Sequence, residues 1–135
     1  MPSQIFVNLP VKDLDRSVRF FTALGYRFNP KFTDSHATCM IVADNISVML
    51  LVEPFFQGFT KKPISDAKAA TEVLIALSFD SRAEAAAMVN KALAAGAKTP
   101  VDAKDHGFMW QHGFEDLDGH QWEVFWMDPN ATPHG

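Results

Sequence analysis

The sequence predicts an α+β protein made of two tandem βαβββ modules, whose sheets pair into one concave, U-shaped mixed sheet with the helices outside. Three observations predict this fold. A short apolar strand pattern that ends in Asp occurs at residues 6–13 and again at 73–80. An amphipathic helical pattern follows each strand and ends at a glycine, Gly25 or Gly96. Three strand-like segments then follow each helix, so both halves of the chain have the same order of elements.

In the first half, the helix begins after Asp13, because a short polar side chain before an apolar periodic run is typical of an N-cap. Gly25 follows the helix, where a left-handed residue commonly ends it. The next segments, 26–32, 36–43 and 46–52, are rich in apolar and aromatic residues and are predicted to be strands.

In the second half, Ser81 and Glu84 have the spacing of a capping box and start the helix. A weak strand is predicted at 97–103, and clearer strands at 108–115 and 120–127. The Asp and Gly residues at 116–119 predict a tight turn between the last two strands.

We predict one domain over residues 1–135, because this length suits a single compact core. Its parts are the first module at 6–52, a joining segment or lid at 53–72, the second module at 73–127 and a tail at 128–135. The joining segment holds Phe55, Phe56 and Phe59, which are predicted to cover the edge of the core or a bound ligand.

Composition excludes several classes of partner. Twelve Lys and Arg against sixteen Asp and Glu give a net charge of -4, so a nucleic-acid partner is not expected. No apolar run approaches the roughly 20 residues that cross a membrane, and the first residues do not resemble a signal peptide.

The single cysteine, Cys39, cannot form an internal disulfide, which favours a cytoplasmic location. Its apolar neighbours predict a buried residue rather than a nucleophile.

Strand alternation assigns side chains to faces of the predicted sheets. If Val7, Leu9 and Val11 pack on the first helix, the residues between them face the opposite way, into a groove. The groove-facing residues predicted in this way to bind a small molecule are Phe6, Asn8, Met49, Leu51, Val73, Ile75 and Phe125, with Trp110 from a neighbouring strand.

The run DLDRSVRFFTALGY near the start and the run FEDLDGHQWEVFW near the end resemble the vicinal oxygen chelate superfamily. This group includes glyoxalase I, bleomycin-resistance proteins, fosfomycin-resistance enzymes and extradiol dioxygenases. The resemblance covers the chain from about Phe6 to Trp126. It implies the paired-module fold and a homodimer, and it does not fix the reaction, because one fold carries several chemistries.

Metal-dependent members of this superfamily take one ligand from the first strand and one from the last strand of each module. The resemblance places these positions on Phe6 and Met49, and on Val73 and Glu123. Only Glu123 offers an oxygen donor for a divalent cation. We therefore expect the family metal site to be lost and expect no cofactor.

Two residues are candidates for catalysis. Glu123 stands on an otherwise apolar strand, where a partly desolvated carboxylate can act as a general base. His112, on the neighbouring strand, could pair with it as a proton-transfer dyad. The alternatives are that Glu123 only bonds Asn8 or a backbone amide, and that His112 is a hydrogen-bonded residue at the groove rim.

The sequence thus predicts a glyoxalase- or bleomycin-resistance-like protein that acts on a small organic molecule in an aromatic-lined groove. Whether it is an enzyme stays open. A lyase or isomerase, or an activity related to the dioxygenases, would use Glu123 as base, with Asn8, His112, Lys104 or Trp110 as hydrogen-bond donors. The alternative is a binding protein that sequesters a drug-like ligand without catalysis.

Overall fold

The computed structural model describes residues 1–131, so part of the predicted tail lies outside the described residues. The chain divides into two units, Met1–Ser65 and a second that begins at Asp66. The boundary falls within the segment predicted to join the modules. Among the described residues, no helix is long and apolar enough to cross a membrane.

The first unit contains one four-stranded mixed sheet. Its elements in chain order are β1 (Ile5–Val11), α1 (Leu14–Ala23), β2 (Arg27–Phe28), β3 (Ala37–Ala43), β4 (Ile46–Val52) and the short helix α2 (Glu53–Gln57). The strand order is β1-β4-β3-β2. Strand β1 runs parallel to β4, and the other pairs are antiparallel.

The second unit repeats this topology. Its elements are β5 (Leu74–Ser78), α3 (Arg82–Ala94), β6 (Lys104–Asp105), β7 (Met109–Glu115) and β8 (Gln121–Met127). The strand order is β5-β8-β7-β6, again with the first strand parallel to the last and the other pairs antiparallel. The α+β class and the two βαβββ modules are therefore confirmed. The pairing of the two sheets into one concave sheet stays a prediction.

The predicted helix boundaries are also confirmed. The Asp13 carboxylate accepts a hydrogen bond from the backbone N–H of Arg16 at 3.0 Å, and the Ser81 hydroxyl accepts one from Glu84 at 3.1 Å. These side chains satisfy N–H groups that have no partner within the helix. Gly25 has a φ of 103° after α1, a conformation that other residues rarely adopt.

The predicted strand at 26–32 is shorter in the structure. Only Arg27–Phe28 pairs, and Pro30–Phe32 forms a single turn of 3-10 helix. The cause is local, because Pro30 has no N–H to donate to a ladder and the Asn29 side chain accepts from the N–H of Lys31 at 3.0 Å.

The predicted strand at 97–103 is wrong. Its backbone makes one isolated bridge, between Lys98 and Glu115, and the edge strand is β6 instead. Of the two alternatives for the phenylalanines of the joining segment, covering the edge of the core is wrong for Phe59, which is 71% exposed, and covering a bound ligand stays a prediction. Phe59 lies edge-on to Phe55, with the ring centroids 5.3 Å apart.

The first sheet has the two faces that alternation predicts. Leu9, Val11, Val48 and Leu50 are at most 5% exposed and form the core face. The opposite face carries the predicted set, since Asn8 stands beside Met49, Phe6 beside Ser47 and Pro10 beside Leu51 in the β1–β4 register. Cys39, beside Met49 on that face, is 2% exposed, which confirms the prediction of a buried residue.

The core of the second sheet is aromatic and lies under α3. The rings of Phe114 and Trp122 are stacked with centroids 6.4 Å apart, and both side chains are buried. The guanidinium of Arg82, the first residue of α3, lies 5.8 Å from the ring centre of Trp110. This contact identifies the face that carries Trp110, Phe114 and Trp122 as the helix face.

One buried carboxylate organises the turn between β7 and β8. Asp116 is 8% exposed. Its carboxylate accepts hydrogen bonds from the N–H groups of Asp118 and His120, both at 3.0 Å, and from the indole N–H of Trp122 at 2.9 Å. Gly119 completes the turn with a φ of 93°. The carboxylate thus ties the turn to the aromatic core.

Burial raises the pKa of Asp116, while the charge of His120 and the hydrogen bond from Trp122 oppose that shift. Because the pKa is raised in the folded protein, protonation of Asp116 favours folding. This contribution to stability is complete below the pKa of an unfolded Asp and is lost as the pH rises through the folded pKa.

The substitution Asp116→Asn should lower the free energy of unfolding by about 1–3 kcal/mol, because an amide has one acceptor oxygen and would turn its NH2 group against a buried N–H donor. Urea denaturation measures the change. The control is Asp66→Asn, at an exposed turn where one oxygen accepts only from the N–H of Lys68. Equal stability of the two variants would contradict the role of Asp116.

Candidate functional site

The register of the second sheet corrects two of the predicted site residues. Strand β5 pairs with β8 so that Ala76 stands beside Glu123 and Ile75 beside Trp122. Register partners on neighbouring strands share a face. Ile75 therefore belongs to the helix face and not to the face of Glu123. Val73 precedes β5 and, in the same alternation, takes the same side as Ile75.

The cause of this error is the helix cap. The repeat of the strand pattern at 6–13 and 73–80 aligns Asp80 with Asp13, whereas the residue that caps α3, as Asp13 caps α1, is Ser81. Counted back from Ser81, the position equivalent to Phe6 is Leu74. The pairing agrees. Leu74 stands beside Gln121, two places before Glu123, and Phe6 stands beside Ser47, two places before Met49.

The β7–β8 register does not support the predicted dyad of His112 and Glu123. In the β7–β8 register, His112 stands beside Val124, and Glu123 stands beside Gly113. Because neighbouring residues of a strand point to opposite faces, the two side chains diverge. The His112 ring lies edge-on to Trp110, with centroids 6.0 Å apart. Trp110, which was predicted to bind the ligand, also lies on the helix face and not on the face of Glu123, because its ring lies beneath Arg82.

The second sheet borders an open cavity of about 440 Å³, lined by residues of the Glu123 face and also by His112. All of its lining residues belong to the second unit. They are Thr71, Glu72, Leu74, Val101, Asp102, Lys104, Gln111, His112, Gly113, Gln121 and Glu123. Both catalytic candidates, Glu123 and His112, therefore border the cavity, together with several polar residues that were not predicted.

Small neighbours leave space around Glu123. On one side it stands beside Gly113 of β7, and on the other beside Ala76 of β5. A Cβ atom at Gly113 would lie 3.0 Å from the carbonyl oxygen of Trp122 and 3.8 Å from Cγ of Glu123. The cavity floor thus depends on the absence of a side chain at this position.

The Glu123 carboxylate is half-buried. Across residues 1–131, it has neither a hydrogen bond nor an ion pair. The alternative in which Glu123 only bonds a backbone amide therefore has no support within the second unit, whereas a bond to Asn8 of the first unit stays a prediction. A half-buried carboxylate without a partner is available to accept a proton or a hydrogen bond from a ligand.

Donors stand on both sides of Glu123 along the sheet. In one direction, Lys104 and Gln111 are register partners, and Phe125 stands beside Gln111. In the other direction, Gln121 accepts a hydrogen bond at its side-chain oxygen from the Thr71 hydroxyl at 2.7 Å. The face therefore combines one central acceptor with an ammonium group and two amides.

In the first unit, the predicted residues on β1 and β4 share a face, as described above. Phe6 is 48% exposed, and Met49 is half-buried. Leu51 is 2% exposed, which leaves it almost no surface for a ligand. Phe125 of the second unit is half-buried and faces the same way as Glu123.

Comparisons with known proteins give the same fold. A family described as bleomycin resistance protein-like N-terminal matches residues 4–43. A hypothetical protein from S. aureus has 27% identity and a TM-score of 0.78, with 93% of this chain and 94% of that chain covered. The first module thus resembles the N-terminal part of bleomycin-resistance-like proteins, and the whole chain shares its fold with the S. aureus structure.

Two further solved structures have the same fold. A glyoxalase-related enzyme from Fulvimarina pelagi has 18% identity and a TM-score of 0.78, with 93% of this chain and 88% of that chain covered. The fosfomycin resistance protein FosX from Mesorhizobium loti has 15% identity and a TM-score of 0.69, with 99% and 96% covered. No curated protein matches the chain.

The residues at the vicinal oxygen chelate ligand positions do not fit a metal ion. With the corrected register, the positions are Phe6 and Met49 in the first module and Leu74 and Glu123 in the second. Three of these side chains have no oxygen or nitrogen donor, and hard divalent cations bind oxygen ligands. Nor do three or more His, Cys, Asp or Glu side chains gather into a metal cluster anywhere in residues 1–131.

Sequence analysis missed Thr71, Gln111 and Gly113. Thr71 lies in the segment taken as a joining region, and its role depends on a contact with a residue fifty positions away. Gln111 and Gly113 would have been found by pairing the two last strands across the turn at 116–119. The alternation that places Glu123 on one face also places them there.

The substitution Gly113→Ala should lower the free energy of unfolding by about 1–3 kcal/mol, because the added methyl group meets the Trp122 backbone and cannot move away. Thermal and urea denaturation measure this loss. Gly58→Ala is the comparison, at a helical φ of -68° with one backbone oxygen at 3.2 Å. A smaller loss for Gly113→Ala than for Gly58→Ala would contradict the tight packing of the cavity floor.

Proposed function

We propose that the protein binds a small organic molecule in the cavity beside Glu123 and catalyses proton transfer at a carbon next to a carbonyl group, as in lyase and isomerase reactions. Glu123 is the general base. One observation carries the proposal: a half-buried carboxylate without a partner in residues 1–131 borders a cavity of about 440 Å³. A cavity of this size suits a small ligand.

The neighbours of Glu123 support a reaction rather than a purely apolar binding pocket. Removal of a proton next to a carbonyl places negative charge on the carbonyl oxygen, and donors aimed at that oxygen lower the barrier. Lys104, Gln111 and Gln121 all border the cavity and carry N–H groups. Phe125 does not line the cavity itself but stands beside Gln111 on the same face, where its ring could contact the apolar part of a ligand that extends past Gln111.

We propose that the protein catalyses this reaction without the divalent metal ion used by metal-dependent members of the superfamily. The donor chemistry at the ligand positions supports this, because only Glu123 could bind such an ion. The N–H donors around the cavity, in place of a metal ion, stabilise the negative charge that develops on the carbonyl oxygen.

We also propose a cytoplasmic homodimer. The absence of a second cysteine to pair with Cys39 is consistent with a reducing compartment. Exposed aromatic side chains in the first unit, such as Phe59 at 71% and Phe32 at 57%, provide apolar surface that a second subunit would cover.

Exchange of carbon-bound hydrogen with deuterated water tests the proposed function. Benzylacetone is a neutral aromatic ketone of suitable size, and proton NMR follows the loss of the hydrogens next to its carbonyl group. The protein should accelerate this exchange about 10²–10⁴-fold over buffer, and Glu123→Gln should abolish the acceleration, because an amide is not a base at neutral pH.

The control for this experiment is Glu84→Gln, at an exposed residue in the first turn of α3, which should exchange at the wild-type rate. Tight binding of benzylacetone with no exchange by the wild-type protein would contradict catalysis and support the sequestering alternative. Equal exchange by wild type and Glu123→Gln would contradict the assignment of the base.

A metal-binding measurement tests the metal-free part of the proposal. After incubation with nickel, zinc, manganese and iron salts and removal of free ions, elemental analysis should find much less than one ion per chain, because one carboxylate is too weak a ligand set. The exchange rate should be unchanged by these salts. One bound ion per chain, lost in Glu123→Gln, would contradict the proposal.

A further inference from the structure

We infer that Gln121 donates the hydrogen bond to the carbonyl oxygen of the substrate, and that Thr71 is the positioning residue that turns the Gln121 amide for this task. The inference rests on the proposed function. It narrows the substrate to a small carbonyl compound with an acidic C–H group beside the carbonyl, bound so that its oxygen lies at Gln121 and the C–H lies at Glu123.

Gln121 and Glu123 are placed to act on adjacent atoms of one ligand. They stand two residues apart on β8 and so point to the same face, about 6.8 Å apart at their Cα atoms. Both residues border the same cavity. Their side chains are long enough to converge on a carbonyl oxygen and the neighbouring carbon.

The hydrogen bond from Thr71 determines which end of the Gln121 amide is available. The Thr71 hydroxyl donates to Oε1 of Gln121 at 2.7 Å. A glutamine amide has one oxygen that accepts and one NH2 group that donates. With the oxygen occupied, the NH2 group remains, and it has no hydrogen-bond partner in residues 1–131. The bond thus presents a donor to the ligand.

The segment before Thr71 is itself held against the β7–β8 turn. At Gly119, a Cβ atom would lie 2.6 Å from Cγ and 2.7 Å from the backbone nitrogen of Lys68. The Asp66 carboxylate accepts from the N–H of Lys68 at 3.0 Å, which folds this segment into a turn. Thr71 is therefore held in place relative to β8 by backbone packing as well as by its hydroxyl.

The proton and electrons balance without an oxidant or a second substrate. Glu123 takes the proton from the carbon next to the carbonyl, and the electron pair of that C–H bond forms the C=C bond of an enolate. The π electrons of the carbonyl move to its oxygen, which receives the hydrogen bond from Gln121. Glu123 then returns the proton, or a deuteron exchanged from solvent, to carbon.

The benzylacetone exchange assay tests this inference with two substitutions at one site. Thr71→Val removes the hydroxyl but keeps the shape, and should lower kcat about tenfold, because a misoriented donor no longer meets the oxygen. Thr71→Ser keeps the hydroxyl and should retain the wild-type kcat. Gln121→Glu replaces the donor by an acceptor, and should lower kcat at least as much as Thr71→Val. KM should change less than kcat in each slow variant.

Thr22→Val, at an exposed position of α1, is the matched control and should exchange like the wild type. The role of Thr71 would be overturned if the wild type catalyses exchange and Thr71→Val has the same rate. It would also be overturned if Thr71→Ser and Thr71→Val lose the same amount of activity. A wild-type rate in Gln121→Glu would overturn the donor assignment and leave Glu123 as base. Absence of exchange by the wild type would instead overturn the proposed function itself.

Discussion

The pairing register of β7 with β8 is the constraint on which the candidate site depends. Side chains alternate along a strand, so a slip of one residue would turn Glu123 into the core and bring Trp122 and Val124 out. The Asp116 carboxylate opposes such a slip, because it binds two N–H groups of the turn and the indole of Trp122 at once. The buried carboxylate of Asp116 thus helps to place the half-buried carboxylate of Glu123, the proposed base.

The same turn also connects the core to the edge of the cavity. Gly119 is required for the conformation of the turn, and its missing side chain lets the segment at Lys68 pack against it. Thr71 follows that segment and binds Gln121. The positions of the proposed base and of the proposed donor are therefore both set from one end of β8.

Much of the fold could be predicted from the sequence because its signals are local. The capping residues Asp13 and Ser81 and the glycines after each helix are recognised by short patterns, and the repeat of these patterns predicts the two modules. The edge strands could not be predicted in this way. Their backbones have few partners, so single features such as Pro30 decide whether they pair.

The candidate site was predicted only in part, because the face of each residue depends on the register of its strand. Glu123 and Phe125 were placed on the correct face because β8 has a clear alternation and a defined turn before it. The faces of Val73 and Ile75 were wrong because Asp80 and Ser81 are adjacent polar residues, and only one of them caps the helix. His112 was misplaced because its face depends on pairing across the turn, which composition alone does not fix.

Nuclear Overhauser effects between backbone protons of β7 and β8 test the central claim most directly, because they report the register in solution without a ligand. We predict cross-strand contacts between Gly113 and Glu123 and between Gln111 and Phe125. Contacts that instead pair His112 with Glu123 would show the register displaced by one residue. That result would contradict the cavity floor and the proposed base together.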